Sequence, residues 1–379
     1  MSGATSAVQQ AIAPGKLKTE AEANGCEPIL RLRLARGPLV ADQAESILTK
    51  YNQLTQSKIP MEEFRHWIQD GPEGPAWHAL LETEDGQTAG HLCLIPFRSN
   101  WHGRKKIVAK AEYFFVEEQC RSMRVKGFED SCKPAAILLL DQLYRHCQAQ
   151  GWGPLLISAT PAIQPLHRMV GCRSADFPLV ECLFILRPWM AATRTPNLSA
   201  RQRVATFLAG CAQFSFWAVV GRLRRSNPRI RRVPMSSSGG PGDGERLAMF
   251  EDEQSVRWRF PEKSYARLAL EAAPDQFVIS KRGSGAGYTR VCQWGVAGDY
   301  STKSFLLALL REARAEKALG VRWAVYGDGE GAAQLTGQMK RIGFLCVRRT
   351  RRLLQYTKDK EFLRAGSWKI TDSLFSFDP

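Results

Sequence analysis

The chain has 379 residues, 44% of them hydrophobic and 24% charged, which is long enough for two domains of ordinary size, each with its own core. A formal charge of +16 favours anionic partners: phosphorylated cofactors, acyl carriers, nucleic acid or membrane surfaces. The ten cysteines form no Cys-x-x-Cys pair and accompany no histidine cluster, which argues against a zinc site or a disulfide framework.

Residues 1–27 lack a basic start followed by an apolar core and read as a disordered lead-in, not a signal peptide. The alternation over 29–35 predicts a strand with one buried face, and 41–54 and 60–69 predict two helices, the second stopped by Gly71-Pro72. Strands over 76–83 and 90–96 are joined by the turn Glu84-Asp85-Gly86, and Trp101, His102 and Gly103 mark another turn. Then come an apolar strand over 108–116, a polar connection, and a helix from Pro134 to Tyr144 with Ser131 as a nearby cap. A strand over 154–158, a short helix over 162–170 ending at Gly171, and a long strand over 178–186 complete this half.

Residues 198–223 are helix-like. Their apolar run, 204–221, is interrupted by Gln213 and Ser215 and is shorter than the roughly 20 residues of a membrane span. Arginines from Arg222 to Arg232 follow, and then a Gly- and Ser-rich linker over 236–244. An apolar helix with a basic flank suits either packing between domains or an anionic membrane surface.

The last third repeats the plan: Val256 to Pro261, a helix over 262–271, strands over 276–281 and 287–296, and a helix over 302–318. A strand over 322–326, a helix over 332–341, Gly343-Phe344 and a strand over 345–356 close it. Gly283 to Gly287 lies between two strands and is a hairpin loop, not a phosphate cradle; Arg348, Arg349, Arg351 and Arg352 suit a solvated strand. Cys93, Cys182, Cys292 and Cys346 lie in apolar runs, as buried free thiols of a reducing cytoplasm do. The domain plan is therefore a lead-in (1–27), a first domain (28–190), a helical basic connector and linker (191–245) and a second domain (246–379).

The strand, helix, strand unit around residues 108–158 implies a ligand crevice beyond the carboxyl end of its first strand. The order of elements over roughly 29–188 resembles the core of the GNAT superfamily of acyl-CoA-dependent N-acyltransferases. The resemblance implies an α/β (α+β) chain of two tandem GNAT-like domains. Each is a mixed, mostly antiparallel twisted sheet with a central βαβ unit and flanking helices.

In that family a turn of pattern Arg/Gln-x-x-Gly-x-Gly/Ala opens the central helix, and its main-chain N–H groups hold the pyrophosphate of acyl-CoA. Arg124 and Gly127 supply part of one register, with Glu129 where a small residue is expected; Lys133, Ala135 and Ala136 supply a second. An N-acyltransferase needs a base for the amine and an acid for the leaving thiolate. By position the resemblance gives Glu112, with Glu117 behind it, as the base, and His167, four residues before Gly171, as the acid. The equivalent count back from Gly343 lands on Met339, and Gly298 to Lys303 lacks the turn pattern, so the second domain reads as non-catalytic.

The resemblance implies transfer of an acetyl or longer acyl group from acetyl-CoA, another acyl-CoA or an acidic acyl carrier protein to an amine, in the cytoplasm. Neither a metal nor a phosphate-loop motif enters this reading. A tRNA-dependent transferase, a non-catalytic GNAT-fold binding or scaffold protein, and an assembly factor peripheral to the inner membrane surface stand beside it.

Overall fold

The computed structural model describes residues 30–369 apart from 102–103, 127–131, 158–161, 196–197, 224–228, 236–246, 250–251, 282–286, 296–299, 328–329, 358–359 and 364–367. The lead-in, the linker, Gly127, Glu129 and the Gly283–Gly287 loop thus lie wholly or largely outside the described residues. The described chain forms two units. One holds the residues up to Ala175 and returns at Arg352; the other holds Asp176–Arg351 with Trp368 and Lys369.

In the first unit, strand β1 (Leu30–Arg36) precedes helices α1 (Ala41–Thr55) and α2 (Met61–Gln69) and strands β2 (Trp77–Thr83), β3 (Thr88–Trp101) and β4 (Arg104–Val116). β1 to β4 pair antiparallel in chain order. A small hairpin of β5 (Arg124–Lys126) and β6 (Cys132–Pro134) leads directly into α3 (Ala135–Ala149). β7 (Leu155–Ile157) then pairs parallel to β4, and α4 (Gln164–Met169) follows.

Helix α3 is the spine of this unit, because eleven of its fifteen residues are buried, from Ala135 to Cys147. Its Leu138, Leu139 and Leu140 pack with Ala79, Leu92, Leu94 and Ala109 of the sheet in one core cluster. Asp141 is buried within it, and its carboxylate is neutralised by Lys133 at 2.5 Å and Arg145 at 2.8 Å.

The second unit contains β8 (Arg173–Ile185) from Asp176 onward, then α5 (Pro188–Arg194), α6 (Ala200–Leu223), β9 (Ile230–Val233), β10 (Leu247–Met249) and α7 (Glu253–Arg259). Strands β11 (Tyr265–Leu270), β12 (Ala273–Lys281) and β13 (Thr289–Gly295) follow, then α8 (Tyr300–Ala315), β14 (Gly320–Tyr326), α9 (Glu330–Arg341) and the start of β15 (Leu345–Tyr356). β9, β11, β12 and β13 pair antiparallel, β13 and β14 pair parallel, and β8 closes antiparallel on β14. β16 (Trp368–Lys369) pairs parallel with β10.

Both units therefore run antiparallel strands into one parallel pair bridged by a helix, with an antiparallel strand beyond it. That last strand is exchanged. In the first unit it is the distal part of β15, where Leu354, Gln355 and Tyr356 face Ile157, Leu156 and Leu155 of β7. In the second unit it is β8, which follows α4 of the first in the chain. Chain order alone assigns each of these strands to the opposite half.

Two further expectations are corrected. Residues 262–271 do not form a helix: Tyr265–Leu270 is a strand with all six residues buried between β9 and β12. Its Ala, Arg and Leu content favours a helix locally, but ladder pairing on both edges outweighs that preference. Cys132 departs from the free-thiol expectation because it is disulfide-bonded. Cys93, Cys182 and Cys292 are buried free thiols, and Cys346 is half-buried.

Candidate functional site

The candidate residues gather around the β4–β7 pair. Their parallel ladder pairs Ala109 with Leu155, Lys110 with Leu156 and Ala111 with Ile157, and β4 continues to Val116. Beyond Ala111 that edge of β4 has no ladder partner among the described residues. On its other edge the register slips: His91 faces Phe115 and Cys93 faces Glu112, so Tyr113 and Phe114 together oppose Leu92. Tyr113 takes a left-handed backbone conformation, φ +54°, in this bulge.

Two buried histidines hold the bulge. His91 Nδ1 lies 3.1 Å from the Tyr113 carbonyl and His91 Nε2 lies 3.0 Å from His78 Nδ1. A carbonyl only accepts, so His91 Nδ1 carries the proton; its Nε2 then accepts from His78 Nδ1–H. Burial, the main cause, lowers His91 to about 4 even though its bond to the Tyr113 carbonyl acts in the opposite sense. Burial, then the neighbouring His91 and Arg33, put His78 well below its ordinary value. The Tyr113 ring stands edge-on to Phe64 and Tyr51, with centroids 4.8 and 5.2 Å away.

Glu112 lies one residue before the bulge. Its Oε1 is 2.5 Å from Lys110 Nζ, and the ammonium is 1% exposed against 21% for the carboxylate. Glu117 sits just past β4 and pairs with Lys50 at 2.6 Å.

His167 of α4 is buried, with Nδ1 3.0 Å from the Tyr144 hydroxyl of α3. Its ring lies 6.0 Å from Phe114, and Tyr144 contacts Tyr356 at 5.4 Å. Burial lowers His167 to about 4, so its imidazole is neutral at neutral pH. The helix end that carries it is a Schellman turn: Cys172 N–H donates to His167 O at 3.0 Å and Gly171 N–H to Arg168 O at 3.0 Å, with Gly171 at φ +95°. The second unit repeats this bond for bond, Phe344 to Met339 and Gly343 to Lys340, with Gly343 at φ +97°. His167 and Met339 are thus equivalent positions, and Met339 is a core residue.

The start of α3 faces the same end of the sheet, since α3 leads from the end of β4 back to β7. Pro134 has no N–H, and Ala135 N–H donates to Met123 O at 2.8 Å. The N–H groups of Ala136 and Ile137 have no acceptor among the described residues, so two donors with the helix dipole behind them remain for an anion. The expected cations are engaged elsewhere: Arg124 donates to the Cys132 carbonyl at 2.9 Å, and Lys133 pairs with Asp141. Of the two turn registers, the one through Lys133, Ala135 and Ala136 abuts the helix start; Arg124 lies across the β5–β6 hairpin from it.

His78, His91, Tyr113 and Tyr144 were not singled out by the sequence reading. The hairpin signal at Glu84-Asp85-Gly86 could have found the histidines: Leu80 faces His91, so His78, two residues away on the same strand, shares a sheet face with it. Among the described residues no group of three His, Cys, Asp or Glu side chains could hold a metal. The second unit has a pocket of about 240 Å³ lined by Arg232, Met235, Glu262 and Arg267 among others, and none of the candidate residues lies in it.

No protein-family model and no curated protein matches the chain. Solved structures do. A conserved Enterococcus faecalis V583 protein of unknown function, described as a probable N-acyltransferase, matches with a TM-score of 0.51 and 12% identity, over 86% of this chain and 72% of that one. A GCN5-related N-acetyltransferase from Anabaena variabilis matches with a TM-score of 0.50 and 12% identity, over the same shares. At that identity the likeness concerns the fold, which is that of the GCN5-related N-acetyltransferases.

Proposed function

We propose that the first unit is an N-acyltransferase that takes its acyl group from acetyl-CoA or another acyl-CoA and passes it to an amine. The observation that carries the proposal is the Tyr113 bulge: among the described residues β4 has no ladder partner on that edge beyond Ala111, and the Ala136 and Ile137 N–H groups at the start of α3 have no acceptor. Such a strand edge suits the amide groups of an extended thioester arm, and the Ala136 and Ile137 N–H groups suit its phosphates. The amine nitrogen attacks the thioester carbonyl, the C–N bond forms as the C–S bond breaks, Glu112 takes the amine proton and the thiolate is protonated from water. Lys110 engages one oxygen of Glu112 and leaves Oε2 for that proton. His167, neutral and bonded to Tyr144, serves as wall and support, because a group that low holds too little acid at neutral pH to give a proton.

The test is calorimetric titration with acetyl-CoA and desulfo-CoA, repeated on Ala136→Glu, with Glu112→Gln assayed for transfer. Saturable binding that Ala136→Glu abolishes, with Glu112→Gln binding normally but inactive, supports the reading. A second reading, a non-catalytic protein of this fold, draws on Lys133 and Arg124 being engaged away from the helix start. Absence of any CoA binding favours it, or a donor carried by an acidic carrier protein or a tRNA.

A further inference from the structure

Helix α6 is anchored to its unit by a buried polar side chain and a close-packed glycine. Gln213 is buried: its side-chain carbonyl accepts from Ile185 N–H at 2.9 Å, and its amide donates to the Leu183 and Gly343 carbonyls, both at 2.9 Å. Gly210, one turn earlier, sits so close to β8 and α5 that an added Cβ would lie 2.8 Å from Ile185 and 3.0 Å from Pro188. Phe214 and Trp217 pack under Arg314, with Trp217 against the core of the second unit, but a second set of apolar residues is exposed. Val204 is 59% exposed, Leu208 61% and Val219 57%, and they recur with exposed Ala212 at the spacing of one helix face.

The helix N-terminus extends this surface. Arg203 donates to the carbonyls of Ala192 and Thr193 at 2.8 and 2.9 Å and fixes α6 against the last turn of α5. Trp189 of α5, 70% exposed, thereby meets Phe207 edge-on with centroids 6.2 Å apart. An exposed tryptophan, a phenylalanine, a leucine and a valine on one corner form a contiguous apolar patch that a solvated surface does not ordinarily carry.

The stretch of chain that carries these residues has charge of one sign. Between Cys182 and Gly242 the chain has ten arginines and no lysine, aspartate or glutamate, so ten of the formal +16 charges fall in this stretch. Arg194 and Arg201 are exposed at the two ends of the α5–α6 corner, and Arg201 precedes Val204, Ala205 and Leu208 on their own face. Exposed apolar residues with a tryptophan and arginines, in a stretch of chain that has no acids of its own, match an interfacial helix, whose apolar side enters the acyl boundary while its cations reach lipid phosphates. No helix among the described residues is long and apolar enough to cross a membrane.

We infer that the α5–α6 corner, through Trp189, Val204, Phe207 and Leu208 with Arg194 and Arg201 at its rim, is a docking surface for an anionic phospholipid bilayer on which the protein lies without crossing.

The test is cosedimentation of the full chain with vesicles of phosphatidylcholine, pure or with about a third phosphatidylglycerol, at low and high salt. Binding should be at least about tenfold stronger to the anionic vesicles and should weaken with salt. Val204→Asp/Leu208→Asp should lower it a further tenfold or so while leaving the circular dichroism and melting unchanged, because both side chains face solvent. Val40→Asp, which removes an exposed apolar residue of the first unit, should bind as the parent does. No preference for anionic vesicles, or binding unaffected by the double substitution, overturns the inference. So does a vesicle-free dimer that the double substitution dissociates, since a second copy would then be the occupant of this face.

Discussion

The first unit should lose stability in acid well before its carboxylates titrate, because it buries neutral histidines. His91 and His167 each fall from the ordinary 6.5 to about 4, both chiefly through burial. An unfolded chain binds a proton at each as pH drops below its ordinary value, while the folded unit does not. Stability is thus intact above that value and is lost as pH falls toward the folded pKa. Between about pH 7 and about pH 5 the loss is about 2 kcal/mol per histidine, rising to about 3 kcal/mol each once the folded imidazoles protonate. His78, lowered by burial and by His91 and Arg33, adds in the same direction. Against a total of about 5–15 kcal/mol for a typical domain, two such losses bring the unit near its unfolding threshold at about pH 5. The assay is urea denaturation across that range, followed by tryptophan fluorescence, on the parent and on His167→Gln. Glutamine keeps an oxygen to accept from the Tyr144 hydroxyl but cannot titrate, so the variant should lose about 2 kcal/mol less over the same interval. A parent whose stability is flat across the interval, or a variant that falls just as steeply, refutes the reasoning.

Two substitutions test the second unit. Gly320→Ala places a Cβ 2.0 Å from the Phe184 carbonyl oxygen and 3.0 Å from its carbon, both backbone atoms of β8, so β14 and β8 cannot keep their register. A loss of about 3 kcal/mol or more is expected in urea denaturation, and an unchanged midpoint would show that the exchanged strand does not hold this unit. Gln213→Leu keeps the volume but strands the Ile185 N–H and the Leu183 and Gly343 carbonyls. That should cost about 2–4 kcal/mol and raise proteolytic cleavage around α6, and the membrane patch should fail along with the helix that carries it.

Local pattern was enough where local physics decides. The apolar run after Pro134 became α3, the count from Gly171 and Gly343 marked two matching helix ends, and the alternation over residues 29–35 became β1. It failed where a segment's state depends on what lies beside it. Tyr265–Leu270 carries helix-favouring residues, yet both its edges are taken by β9 and β12, and a continuously buried six-residue run has no period to show this. The exchange of β8 and β15 is invisible for the same reason, since either strand satisfies the same pattern in either unit. For the candidate residues, the sequence marked places along the chain and not their surroundings. Glu112 was marked only by its place in the strand; the bulge beside it and the burial of its Lys110 partner, two residues away on the same strand, have no local signal, and only burial of that ammonium makes the pair costly to break. His167 was found by counting from a glycine, and that count is sound because the Schellman turn fixes it. What the count could not supply is the Tyr144 hydroxyl and the surrounding burial, which keeps the imidazole neutral.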